Sequence, residues 1–291
     1  MEKWLGGKET DMGKKSIIAS VIVLSLLAGF AKAADEELHG SVDLMYLSKF
    51  VWRGLDVYDD KSATQASVTL DLWKTGFGTQ IHSSRANSDG FENSEWLRYY
   101  LFYDNVLWPD ERCQTNYRLG YYYYNFPDNS PKDLDAQEVH LALAWPKALV
   151  EGLVPSYVLV KMWPSHSDSL IGANSDTLYG AGNGGTASGF AHIFMLDYAW
   201  MTTCPFTGEP RAINLHSEAV FNDGVGPQGQ NIDHDWTNAV FGASTDFDLS
   251  SNMVFTPGVY YQVTMDKSCV AAGSDWDKDE FWATANLKIK F

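Results

Sequence analysis

A two-residue hydrophobic period recurs from about residue 40 to the last residue, and it restricts the fold more than any other feature. Ala66, Val68, Leu70 and Leu72 alternate with Gln65, Ser67, Thr69 and Asp71. Leu97, Tyr99, Leu101 and Tyr103 alternate with Trp96, Arg98, Tyr100 and Asp104. Ala283, Ala285, Leu287, Ile289 and Phe291 alternate with Thr284, Asn286, Lys288 and Lys290. A helix would repeat its apolar positions every 3.6 residues; period two belongs to strands with two unlike faces. Twelve segments follow the pattern, near 40–52, 63–74, 77–86, 95–106, 114–125, 136–145, 155–163, 189–201, 211–221, 236–247, 253–265 and 281–291. Each comes close to the ~9–11 residues with which a tilted strand crosses a bilayer.

Composition separates two kinds of β protein. A soluble sandwich also alternates, but its core would want Val, Ile and Leu in most strands. Here the apolar faces carry Tyr and Trp, with small residues such as Ala283 and Ala285, and the chain holds 11 Trp, 15 Tyr and 15 Phe. A membrane barrel turns one face to lipid and the other to a wet lumen, and gathers aromatics at both interfaces. The reading is therefore all-β: a transmembrane antiparallel up-and-down β-barrel of about twelve strands, an even number that puts both termini on one side.

The connections agree. With the mature N-terminus in the periplasm, the odd-numbered links are extracellular and should be longer. They are Arg53–Lys61, Ala86–Asn93, Pro127–Asp135, Pro164–Ser188, Asn222–Asp235 and Asp266–Glu280. The shortest links, Thr75-Gly76 and Leu249–Asn252, fall on the other side. The longest, Pro164–Ser188, contains GAGNGG and reads as a mobile loop or one folded into the lumen.

The N-terminus carries an export signal. Lys14 and Lys15 precede an apolar run from Ile17 to Phe30, then Ala31-Lys32-Ala33 ahead of an acidic stretch. That order defines a cleavable signal peptide over 1–33, cut near Ala33, with 34–291 as one barrel domain. Met12 is a second candidate start, so residues 1–11 can be a mis-assigned leader. The chain stops at Phe291 within a strand, the address read by the outer-membrane assembly machinery. The expected location is the bacterial outer membrane, with its lipid and lipopolysaccharide as surroundings.

Charge excludes one class of partner. The chain holds 21 basic and 37 acidic residues; phosphate binding needs basic patches, so nucleic acid is not expected. Cys113, Cys204 and Cys269 are an odd set without zinc spacing. Asp275, Asp277, Asp279 and Glu280, and likewise Asp56, Asp59 and Asp60, are acidic loop clusters that lack the ligand pattern of a calcium loop. His82 and Ser84 share the His-x-Ser spacing of barrel lipid hydrolases, but the strand's parity turns them into the lumen, away from lipid. No cofactor, metal site or catalytic residue is expected.

One stretch resembles a known family. Ser48-Lys49-Phe50-Val51-Trp52-Arg53-Gly54 is similar to the S-x-[YF]-V-[FW]-R-G signature of the TorF-type porin family of bacterial outer-membrane proteins. Ala66–Ser84, Pro257–Gln262 and Phe281–Ala283 with the final strand are similar to other parts of that family. The resemblance implies the same barrel architecture and brings no shared substrate or catalytic residues. For Arg53 it leaves a rim residue that fixes a loop or meets lipopolysaccharide phosphates, or a pore-gating one.

By alternation, Asp71, His82, Arg98, Arg118, Glu138, His140, Lys161, His216, Glu218, Lys288 and Lys290 point inward. A mixed-charge lumen fits a narrow aqueous pore that passes small hydrophilic solutes. It fits equally a closed, salt-bridged barrel that acts through its outer loops. Twelve strands lie between side-chain-filled eight-stranded barrels and open sixteen-stranded ones.

Overall fold

The computed structural model describes residues 38–129, 135–165, 189–204, 208–223, 234–265 and 278–291. The proposed signal peptide lies outside the described residues. The strands are β1 (His39–Leu47), β2 (Val51–Trp52), β3 (Leu55–Asp56), β4 (Ala63–Asp71), β5 (Phe77–Ala86), β6 (Trp96–Leu107), β7 (Thr115–Asn125), β8 (Ala136–Ala144), β9 (Leu153–Pro164), β10 (Gly189–Thr203), β11 (Pro210–Asp223), β12 (Asp235–Ser244), β13 (Phe247–Ser250), β14 (Met253–Thr264) and β15 (Glu280–Lys290).

Twelve of these close a ring of antiparallel neighbours: β1, β4 to β12, β14 and β15. β1 pairs with both β4 and β15, and β12 pairs with β14, so no ring strand is left with a free edge. Closure is what permits strands in lipid, where an unpaired backbone group costs several kcal/mol. β13 is a short stub beside β14. At the β1–β15 seam, Phe291 and Gly40 exchange two backbone hydrogen bonds of 3.0 Å. A Cβ on Gly40 would come within 2.7 Å of the Phe291 ring, so the final aromatic packs where the strand has no side chain. No described helix is long and apolar enough to cross a membrane.

The alternation works as expected on the outer face. Leu101, Ile81, Leu119 and Phe241 are each more than half exposed. Such exposure of large apolar groups around a whole ring has a physical reason only in lipid. The observed strands fall within a few residues of the twelve segments expected. The largest difference is the first: alternation carries it to residue 52, whereas β1 ends at Leu47. Residues 48–62 leave the wall there and form the hairpin β2–β3. The lone buried core of the described residues gathers around that hairpin. Phe50, Val57 and Tyr58 pack with Trp96, Tyr124, Phe126, Val160, Met162, Ile193 and Val220 from the ring. In a barrel the only enclosed volume is the lumen, so this core lies inside it.

Candidate functional site

The hairpin is built by its sequence. Val51 pairs with Asp56 and Trp52 with Leu55. Between them Arg53 and Gly54 both take positive φ, 49° and 93°, the geometry of a tight two-residue turn that matches strand twist. Gly54 meets that demand freely; Arg53 does so under strain. A second turn with Asp59 and Asp60 at φ 46° and 62° brings the chain back to β4. Val57 N donates to Phe50 O at 2.9 Å and steadies the base.

The tip crosses the lumen. Arg53 donates two parallel hydrogen bonds to Glu138 on β8, at 2.8 and 2.9 Å. β8 is five strands from β1 by the shorter path round the ring, almost the facing wall. Tyr124 OH donates to the same carboxylate at 2.8 Å, and His140 Nδ1 lies 3.3 Å from it. The Glu138 side chain is 1% exposed and that of Arg53 14%, so this is a buried fork-to-fork pair. Removing one partner of such a pair costs about 3–5 kcal/mol, because the other charge is stranded. On the opposite flank Gln262 Nε2 donates to Gly54 O at 3.1 Å. Asn238 stands so close that a Cβ on Gly54 would lie 3.0 Å from its Oδ1. Trp52 meets Trp96 edge-on at 4.8 Å between ring centroids and Tyr124 at 5.7 Å.

The root is held by charge. The Lys49 ammonium contacts Asp60 and Glu280 and lies 3.7 Å from Asp56. Asp56, Asp60 and Glu280 thus converge, a grouping spread over 225 residues of sequence that no local motif foretold. Lys49 occupies the centre of the three carboxylates and serves as their cation. Burial pushes the Asp56 carboxyl up to about 6, against the backbone N–H groups and the Lys49 charge that favour its ionised form. The Lys49 side chain holds Asp60 below its ordinary value. Tyr58 OH and Ser84 Oγ lie 3.1 Å apart, a further tie to β5.

These contacts revise two expectations. The signature stretch Ser48, Phe50, Val51, Trp52, Arg53, Gly54 continues no strand; it is the inward hairpin. Arg53 sits inside the lumen rather than at the rim. The fourth long link, expected as mobile or folded inward, lies outside the described residues apart from its first two; the first long link is the one seen in the lumen.

The rest of the inner face holds most of the expected polar residues. His82, Arg98, Arg118, Glu138, His140, His216, Glu218 and Lys288 share inward parity with lumenal neighbours. Asp71 ends β4 at the short-turn mouth, opposite His39 and Gly78, and is exposed. Arg118 makes two 2.6 Å bonds to Asp104 and lies 4.2 Å from the Phe102 ring centroid. His216 Nδ1 meets Asp197 at 2.7 Å, and Lys288 lies 3.4 Å from Asp43. Inward glycines make room for rings against the wall: a Cβ on Gly78 would stand 2.1 Å from Phe102. Near the short-turn mouth a cavity of about 870 Å³ is lined in part by Lys74, Asp104, Asn116, Arg118, Ser156 and Met195.

Lys161 is the exception. It pairs across the sheet with Val139 and Phe190, both outward, and its ammonium lies 4.5 Å from the Phe190 ring centroid. Val160 and Met162, on the other parity, are the ones buried against the hairpin core. The lysine sits near the long-link end of β9, where a flexible stem lets its charge reach the interface.

His82 and Ser84 face inward as expected. Ser84 is fully buried, shared between Tyr58 and Gln65, so its hydroxyl does not reach the lipid face. Of the acidic cluster that leads into β15, Asp279 accepts from Thr264 N at 3.0 Å and Tyr261 OH at 2.9 Å; Asp275 and Asp277 lie outside the described residues.

The closed ring and its apolar outer belt define a membrane-spanning antiparallel β-barrel of the outer-membrane type. No family model matches the chain, and no curated protein matches it. Among solved structures it is similar to a KdgM porin, at 8% identity and TM-score 0.47, over 86% of this chain and 99% of that one. It is similar to OccK5 (OpdH) of Pseudomonas aeruginosa at 11% identity and TM-score 0.37, over 85% and 62%. It is similar to outer membrane phospholipase A of Escherichia coli at 10% identity and TM-score 0.39, over 86% and 92%. Closure of the ring rests on the strand register, not on these likenesses.

Proposed function

We propose that this chain is a gated outer-membrane channel for small hydrophilic solutes, with the 48–62 hairpin as its gate. In this reading the long-link end is extracellular and the short turns are periplasmic. The single observation that carries the reading is the contrast within one lumen. The extracellular half is crossed by a hairpin; the periplasmic half is walled by partly exposed, mostly paired charges around a cavity. The hairpin is also tied to the walls by side chains rather than woven into the sheet. On the wall near the tip Asn238 Nδ2, Gln262 Oε1 and Trp96 Nε1 find no protein partner.

The same core supports a second reading. An apolar cluster bridging hairpin and wall suits a permanently closed barrel that acts through its outer loops. Single-channel recording in planar bilayers separates the two. The gate predicts brief conductance steps; a correctly folded barrel that stays silent at all voltages supports the closed alternative. We further propose that Phe291 serves the assembly machinery, that the outer belt meets membrane lipid and lipopolysaccharide, and that the hairpin signature places the chain with TorF-type porins.

A further inference from the structure

Below the hairpin most inward charges of the ring are matched. Asp43 pairs with Lys288, Asp104 with Arg118 and Asp197 with His216, while Glu138 holds the hairpin's Arg53. Apart from Asp71 and Lys290 at the strand ends, two of the candidate lumenal charges stand apart, and they have opposite signs. Arg98 on β6 makes no ion pair or hydrogen bond among the described residues. Its guanidinium is engaged only by ring faces, 4.6 Å from the centroid of Tyr122 and 6.0 Å from Tyr124. Its Nε is buried without an acceptor. Glu218 on β11 likewise has no ion pair or hydrogen bond among the described residues.

Their placement is not arbitrary. β6 and β11 are five ring positions apart one way and seven the other, so the two residues lie on opposite walls of the lumen. Arg98 is one inward step below Trp96, which packs on Trp52 of the hairpin. Glu218 is one inward step below Val220, a member of the same core, and one inward step above His216, whose charge is held by Asp197. Both therefore sit in the layer immediately beneath the gate.

We infer that this layer is a selectivity site for small zwitterions, molecules that carry an ammonium and a carboxylate together. The inference rests on the channel reading above. The ring-backed guanidinium presents a planar fork suited to a carboxylate, and the facing carboxylate suits an ammonium. A simple anion gains at Arg98 and loses at Glu218; a simple cation does the reverse. A dipolar solute turns across the lumen and gains at both. Acting from opposite walls, the two charges give a preference on the order of fivefold over a neutral molecule of the same shape.

Four solutes of nearly one shape test this in liposome swelling with the full-length folded barrel: alanine (zwitterion), lactamide (neutral), lactate (anion) and 1-amino-2-propanol (cation). Potassium chloride conductance is recorded on the same preparation. The expected result is about fivefold faster entry of alanine than lactamide, lost in Arg98→Gln/Glu218→Gln while conductance steps persist. Arg98→Gln alone should favour the cation over the anion, and Glu218→Gln alone the reverse, a pair of opposite shifts that a merely structural role would not give. Conductance with equal entry of alanine and lactamide overturns the selectivity site and leaves the channel standing. A preference that survives the double substitution does the same. Absence of both conductance and solute entry overturns the channel and this site with it.

Discussion

The two halves of the lumen are built from the same twelve strands and hold opposite contents. In the long-link half, inward positions are Trp96, Tyr124, Val160, Met162, Ile193 and Val220, and they close on the hairpin. In the short-turn half they are Asp43, Asp104, Arg118, Asp197, His216 and Lys288, matched in pairs and open to water. The outer belt is apolar along both. The lesson is that the outward residues answer to lipid everywhere, while the inward ones answer to whatever shares the lumen with them. Where a hairpin enters, the inner wall reads like a protein core; where water enters, it reads like a surface.

That contrast makes ordered predictions. Excising residues 49–61 and bridging the gap with a short Gly/Ser linker should remove the difference between the halves. Bilayer recording should show mean conductance rising by ~10-fold or more while the far-ultraviolet circular dichroism of the sheet is kept. Next in size, Glu138→Gln strands the buried Arg53 charge and should undock the tip. The cost of ~3–5 kcal/mol for a broken buried pair predicts open probability rising many-fold. The paired change Arg53→Met/Glu138→Met should restore closure, since a well-packed apolar pair can replace a buried ionic one.

A smaller effect comes from acid. In the docked hairpin burial lifts Asp56 to about 6, against 3.8 when it is free in water. The docked state therefore binds a proton more readily between about pH 4 and 6, and its stability rises as pH falls through that window. Asp60 acts the other way, but its carboxylate is held below the ordinary value, so it opposes docking only in stronger acid. Open probability measured at pH 5 should be a few-fold lower than at pH 7, and Asp56→Asn should flatten the profile. An unchanged profile in that variant would count against the assignment. Smallest of all, Arg118→Gln breaks a pair whose side chains are 43% and 42% exposed. Exposed pairs contribute ~0–1 kcal/mol. Thermal stability should barely move, and conductance should change by less than ~2-fold.

The strand ring was legible because lipid enforces one rule along every strand. Wherever the lumen was wet, as at Asn116-Tyr117-Arg118-Leu119, the inner face was polar and parity could be read from the residues alone. The hairpin was hidden for a specific reason. Ser48-Lys49-Phe50-Val51-Trp52 prolongs a strand-like, β-prone run, and nothing local says that the chain turns inward at Ser48. Arg53-Gly54 is a turn signal, but it fits a loop at the rim as well as a tip in the lumen. Lys161 was misplaced by the same cause. Val158-Leu159-Val160-Lys161-Met162-Trp163 is apolar on both parities, because one face meets lipid and the other meets the hairpin core. Alternation vanishes there, and the charge alone suggested the wrong side. The convergence of Asp56, Asp60 and Glu280 on Lys49 depends on β1 and β15 meeting at the seam, a long-range fact that spacing does not encode.

The hairpin's movement can be tested by tethering it. A Cβ placed at Gly54 would lie 3.7 Å from the Cβ of Asn238, within the separation a disulfide needs. Gly54→Cys/Asn238→Cys, in a chain with Cys113, Cys204 and Cys269 changed to Ser, locks the tip to β12, at ~1–3 kcal/mol of backbone strain at φ 93°. In a planar bilayer the oxidised protein should be silent, and adding reductant to the same membrane should bring conductance steps. Equal conductance before and after reduction, with the disulfide shown to be formed, would contradict the gate.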